Sequence, residues 1–375
     1  MDLRRDTWPP QAADSPAKNP IQLDSRDSTI LKALAISAIV FHNFFHAVSL
    51  EPENEFGFRP GSFAVFLETV RHPSLSVQAV FSFFGYLGVP VFIFLSAYGL
   101  AKSHWDGDES WMQFMAGRVG KLFPIFGLVI LPWLLGMLVQ VGVNSFVHSV
   151  LPRTALMLMG LTPLIPGQGL PPVGPWWFIP FILEFYAIFF LLRAVTKRFG
   201  WRGLLVLALL SVVVSAPAGP WLAQWKIYLY ATPLGRLPSL CLGIAVARYP
   251  IRFPVWLAVA AGGVMVLGNE YALLWPMAST AAVVVAVWVY LSLRERLRDS
   301  RVLERVGRYS VLIFLLNGFV RNDFLGYATT PMRQLVFGAM SALTSYAIAA
   351  MIQEWLISRR RRTRATAPQE SELAA

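Results

Sequence analysis

Long apolar runs alternate with short polar connections through most of the chain. Runs of about 20 apolar residues, enough to cross a hydrocarbon core, fall at 30–50, 77–101, 120–141, 176–193, 203–217, 232–248, 254–270, 272–292, 309–326 and 333–357. The pattern predicts an all-α polytopic membrane protein with about ten transmembrane helices. A further apolar stretch, 146–165, holds Arg153 and several Pro and Gly residues. It is expected outside, lying on the surface or re-entrant. The first 28 residues are polar, with no apolar core and no cleavage site, and are read as a disordered cytoplasmic tail rather than a signal peptide. Residues 29–357 form the membrane domain, and 358–375 form a basic and then polar cytoplasmic tail.

Composition agrees with the pattern. Of 375 residues, 56% are hydrophobic and 14% charged, and that charged share is about half of what soluble domains carry. The net charge of +11 would suit nucleic acid, but the basic residues sit in short clusters between apolar runs, so no nucleic-acid partner is expected. Those clusters fix an orientation by the positive-inside rule. With both termini cytoplasmic, the inner segments hold Arg4, Arg5, Lys18 and Arg26, then Lys102, Arg118 and Lys121. Arg193 to Arg202, Arg248 and Arg252, Arg294 to Arg308 and the Arg-rich tail follow. Glu51, Glu53, Glu55, Glu68 and Glu270 fall outside. Lys226, Arg321 and Arg333 fit this orientation least well. Cys241 is alone, which leaves no disulfide framework and no cysteine metal site.

The chemistry starts in the first run, LKALAISAIVFHNFFHAVS. It carries Lys32 near one end and His42, Asn43 and His46 near the other. Ionisable residues inside a span are costly and so are functional candidates. His42 and His46 are four apart and share a helix face. A neutral imidazole can take a proton from a hydroxyl near physiological pH, or the pair could serve as an interhelical hydrogen bond. A metal needs a third His or Cys ligand, and none is evident. Arg118 and Lys121 are read at the start of a helix, where a positive pair and free N–H groups make a phosphate site. Equally, they could be a positive-inside anchor. In GPWWFIPFILEFY, Trp176 is expected in an outer aromatic belt, while Glu184 lies well inside the span. Its partner could be a histidine of the first helix or a basic group. Tyr186 is a weaker polar candidate. Pro90 is expected to kink the second span.

Taken in order, LKALAISAIVFHNFFH, GYLGVPVFIFLSAYGL, RVGKLFP, WWFIPFILEFY and VGRYSVLIFLLNGFV resemble motifs of the bacterial membrane acyltransferase 3 family. The resemblance covers about residues 28 to 355. It implies a multi-pass protein of the bacterial inner membrane that moves an acyl group, often acetyl, from acyl-CoA to a hydroxyl of an envelope glycan or glycolipid. It also implies no permanently bound cofactor. By this resemblance His42 matches the catalytic histidine, and Lys32 the basic residue before it. Arg118 and Lys121 match the basic pair that serves the donor, and Trp177 the Trp of the WF pair. Glu184 or His46 would orient His42, and Trp177 and Tyr186 would contact substrate. The chain departs from the family in having nine residues, not ten, between Lys32 and His42, in Ser96-Ala97 in place of Ser-Gly, and in Asn317 where His is common. A proton-coupled transporter or flippase of a glycan precursor is the alternative reading of the same polar groups, although no internal repeat is visible.

Overall fold

A computed structural model describes residues 20–48 and 53–366, with side chains to residue 359. The expected tails through residue 19 and from residue 367, together with Glu51, lie outside the described residues. Every described regular element is a helix. They are α1 (Ser25–Val48), α2 (Ser62–Val70), α3 (Ser76–Phe84), α4 (Gly88–Ser103), α5 (Trp111–Ser145), α6 (Leu151–Leu158) and α7 (Phe178–Gln224). After these come α8 (Leu237–Arg248), α9 (Val255–Leu267), α10 (Trp275–Ser292), α11 (Arg294–Arg298), α12 (Arg301–Val320), α13 (Asn322–Leu325) and α14 (Pro331–Thr366). The ten apolar runs are largely helical, with 77–101 divided between α3 and α4 and 309–326 between α12 and α13, and six helical stretches are by themselves long and apolar enough to cross a membrane. Large apolar side chains stand exposed on the helix exteriors, Leu131, Leu135, Val139, Val213, Val259 and Leu343 among them. A surface so apolar suits lipid rather than water.

The first helix is the axis of the bundle. It packs along α12 on one side and against α3 and α4 on another, with α14 as a further neighbour. Its start lies before the expected boundary at residue 29 and is not a loose tail. Asp24 and Asp27 cap it reciprocally, each side chain accepting from the other's backbone N–H at 2.8 and 2.9 Å. This satisfies N–H groups that the first turn would otherwise leave unpaired. Asp27 is fully buried and accepts from the Tyr290 hydroxyl at 2.6 Å and from Arg294 at 2.5 and 2.9 Å. Arg298 reaches Asp24. The basic segment 294–298 therefore gathers at the Ser25 end of the bundle, as do Arg193, which donates to the His104 carbonyl, and Arg248, stacked over Trp105.

Breaks in the helices differ from expectation in instructive ways. Pro90 does not kink its span. It lies in the first turn of α4, where a missing N–H costs nothing, and the break is the 3-10 turn Gly85–Leu87 between α3 and α4. Gly85 and Gly88 allow that turn to press on α1. A Cβ on either would meet the Ala38 or Ala35 carbonyl oxygen at 2.6 or 2.5 Å. The stretch 146–165 opens with a π turn at Phe146–Val150 and the short helix α6 (Leu151–Leu158), set off from the body of α5 by a break at Gly142 (φ 76°). Gly200 (φ 64°) divides α7 between the two runs read from the sequence.

Candidate active site

The helical repeat of α1 places His42 and His46 one above the other, and their rings stack with centroids 5.4 Å apart. His42 is 4% exposed. Its Nδ1 lies 2.9 Å from the carbonyl oxygen of Ser82 on α3. A carbonyl can only accept, so this partner fixes the proton on Nδ1 and leaves the lone pair of the neutral ring on Nε2. The edge of the Tyr86 ring closes on His42 at 5.8 Å. Gly85 permits the approach, because a Cβ there would sit 2.6 Å from that of His42.

The loop after α1 completes the group. Glu53 brings its Oε2 to 2.9 Å from His46 Nδ1. Burial pushes the Glu53 carboxyl up, but His46 beside it outweighs that and holds it below its ordinary range. Glu55, two residues on, is buried, and loss of water pushes its carboxyl up to about 8, with the Glu53 charge adding to the rise. Arg236, at the head of α8, is 2% exposed and ties this loop down. It donates to the carbonyl oxygens of Glu55 (3.0 Å) and Tyr230 (2.9 Å) and to the Ser279 hydroxyl (2.5 Å). Asn54 is a second tie, with its backbone oxygen accepting from the Trp275 indole at 2.8 Å. Trp177 packs over Arg236 and against Phe56.

Below this group lies a cavity of about 210 Å³ lined by Lys32, Ile39, Ser96, Tyr186, Ser310 and surrounding apolar side chains. It follows α1 from Lys32 to Ile39, roughly 10 Å at 1.5 Å per residue, and ends short of His42. Tyr186 joins this cavity to Arg118, whose guanidinium lies 5.9 Å from the tyrosine ring centre and 5.4 Å from that of Phe114. Arg118 also contacts His104, which in turn contacts Glu109.

Several sequence readings need correction. Arg118 and Lys121 are not at a helix start, because α5 begins at Trp111. Ser110 and Gln113 form a capping box there, so Arg118 has no free N–H groups beside it, and the phosphate site at a helix start does not form. Lys121 is exposed and does not line the cavity; Lys32 does, and Arg118 stands outside it, against the Tyr186 ring. Glu184 does not orient His42. Its Oε1 is buried without a hydrogen-bond partner among the described residues, and it lies beside Gly160. His46 stacks on His42, and the carbonyl of Ser82 does the orienting. Trp176 is not in an interfacial belt. It is fully buried and donates to the Leu315 carbonyl at 3.0 Å. Arg321 donates to the Asn43 carbonyl at 2.7 Å. Glu53 and Glu55 are expected from the sequence only as outer-loop charges, and Arg236, a polar group in the apolar run 232–248, meets them only in the fold. Among the described residues no cluster of His, Cys, Asp and Glu could hold a metal ion.

A family model described as an acyltransferase domain, that of the acyltransferase 3 family, matches residues 26–359. No curated protein and no solved structure matches the chain.

Proposed function

We propose a chemical route for this chain, which belongs to the acyltransferase 3 family: transfer of an acyl group, acetyl in the simplest case, from acyl-CoA to a hydroxyl of an envelope glycan. The base is His42. Its Nε2 takes the acceptor's proton as the hydroxyl oxygen attacks the thioester carbonyl carbon. The C–S bond breaks, and the departing CoA sulfur recovers the proton from the imidazolium. The products are the acyl ester and CoA-SH, so atoms and charge balance without any other reactant.

The observation that carries this reading is the fixed tautomer of His42, with Nδ1–H on the Ser82 carbonyl and the lone pair on the other nitrogen. A base that is already oriented loses nothing to reorientation during the reaction. The Glu53 carboxylate at His46 offers a negative charge to the imidazolium that forms. On the donor side, the Lys32–Tyr186 cavity is a narrow slot suited to the acyl end and its pantetheine arm. Arg118, next to Tyr186, offers a guanidinium to the phosphates, in place of the helix N-terminus expected from the sequence. The slot ends at Ile39, three residues before His42, so a movement of α1 or its neighbours must join the two before transfer.

The test uses the full chain in lipid nanodiscs with radiolabelled acetyl-CoA and a mixture of glycan acceptors. Acceptor-dependent release of CoA thiol, with label appearing on the glycan, supports the reading. No thiol release and no labelled glycan, from protein shown to be folded, overturns it.

A further inference from the structure

Arg153, in the stretch expected outside, and Arg321, which fits the charge bias poorly, line one cavity of about 490 Å³. Its walls are α5 and α6 on one side, the end of α12 on another, and residues 172–174 between them. It lies at the His46 end of the bundle, since Arg321 donates to the carbonyl of Asn43 at 2.7 Å. The remaining partners of the two guanidinium groups are neutral: the Leu170 carbonyl for Arg153 (3.1 Å) and the Asn322 side chain for Arg321 (3.4 Å). Among the described residues neither arginine forms an ion pair. No acidic side chain lines the cavity, and the nearby Asp323 is exposed.

Two partly buried cations close together are costly without an anion. A guanidinium has five N–H donors in a fork that fits carboxylate or phosphate oxygens. Here most of those donors are not taken up by the protein. The cavity is also linked to the helix that carries His42. Gly318 lines it, and its neighbour Asn317 accepts from the Asn43 side chain at 2.8 Å. Asn43 is next to His42 in α1. A group held by Arg321 is therefore tied to the helix that carries the base.

We propose that this cavity binds an anionic group of the acceptor, the carboxylate or phosphate monoester of a sugar, between Arg153 and Arg321. The proposal rests on the acyltransferase reading above and adds to it the charge class of the acceptor.

The experiment measures sugar binding by ligand-observed NMR, using the full chain in phosphatidylcholine nanodiscs. The probes are D-glucuronic acid, glucose 6-phosphate and neutral D-glucose. The expected result is a preference of about tenfold or more for both anionic sugars, equivalent to about 1.4 kcal/mol. Arg153→Gln and Arg321→Gln are each expected to abolish the preference, and Arg153→Lys and Arg321→Lys to retain part of it. Retention in the Lys variants separates loss of charge from loss of fold. Equal binding of charged and neutral sugars overturns the proposal, as does a preference that survives both Gln substitutions. A preference that vanishes in phosphatidylglycerol nanodiscs assigns the site to lipid head groups and also overturns it. Because binding is read without turnover, a failure of acyl transfer counts against the acyltransferase reading and leaves this result standing on its own.

Discussion

The Ser82 carbonyl oxygen lies 2.9 Å from Nδ1 of His42, and this contact between α3 and α1 decides which nitrogen of the ring can act as a base. The backbone supplies it, so no side-chain substitution at Ser82 removes it directly. What can disturb it is the distance between the two helices, which small residues set.

Gly85 is the most sensitive of these. A methyl group there would meet the Ala38 carbonyl oxygen and the His42 Cβ, both at 2.6 Å. Gly85→Ala is expected to push the α3–α4 turn off α1, to cost about 1–3 kcal/mol of stability and to lower acyl transfer by spoiling the His42–Ser82 contact. Thermal unfolding in nanodiscs and the rate of labelled-acetyl transfer check both parts. A variant with normal stability and normal rate would mean that the packing is looser than described.

Arg236 is expected to matter for the loop rather than for the chemistry. Arg236→Met leaves the Glu55 and Tyr230 carbonyls without the donors they have now, and each unsatisfied buried acceptor costs about 1–3 kcal/mol. The expected outcome is a lower unfolding temperature, together with faster proteolysis in the segment 53–61. Unchanged protease resistance there would show that Asn54 alone holds the loop.

Glu55 gives a pH signature. Its carboxyl is pushed up to about 8 from an ordinary 4.5 by burial first and by Glu53 second. The fold thus favours the neutral acid. Between those two values the unfolded chain loses the proton and the folded chain keeps it, so stability is highest below the lower value and declines as pH rises through about 8. Glu55→Gln, which cannot ionise, is expected to flatten that part of the stability profile and to gain on the native protein at the alkaline end. Glu53 has the opposite sign. Its carboxyl is held below its ordinary value, so its contribution is present above that value and fades as the pH drops further. Glu53→Gln is expected to lose it. Unfolding curves at a series of pH values test both.

The sequence carried the fold further than it carried the site. Apolar runs of membrane length mark the helices because the bilayer imposes that length on each segment separately, and the ten runs are largely helical. The His42–His46 stack was legible for the same reason, being a property of one helix. The site is less legible because its partners are distant in the chain. Ser110 and Gln113 have the spacing of a capping box, which would have placed the start of α5 before Arg118. The pairing of Asp27 with Arg294, the grip of Arg236 on the Glu55 backbone and the contact of Arg321 with Asn43 join helices far apart in sequence, and no periodicity records them. Glu184 was singled out for its depth in the span, yet depth alone does not say which helix it faces.

The most direct measurement of the central claim is mass spectrometry of the envelope glycans of cells in which the native gene is replaced by one encoding His42→Gln, at matched protein levels. The account predicts that the acyl mass added in native cells is absent, as in cells lacking the gene, because removing a general base costs about 10²- to 10⁴-fold in rate. Undiminished acylation by the variant would contradict it.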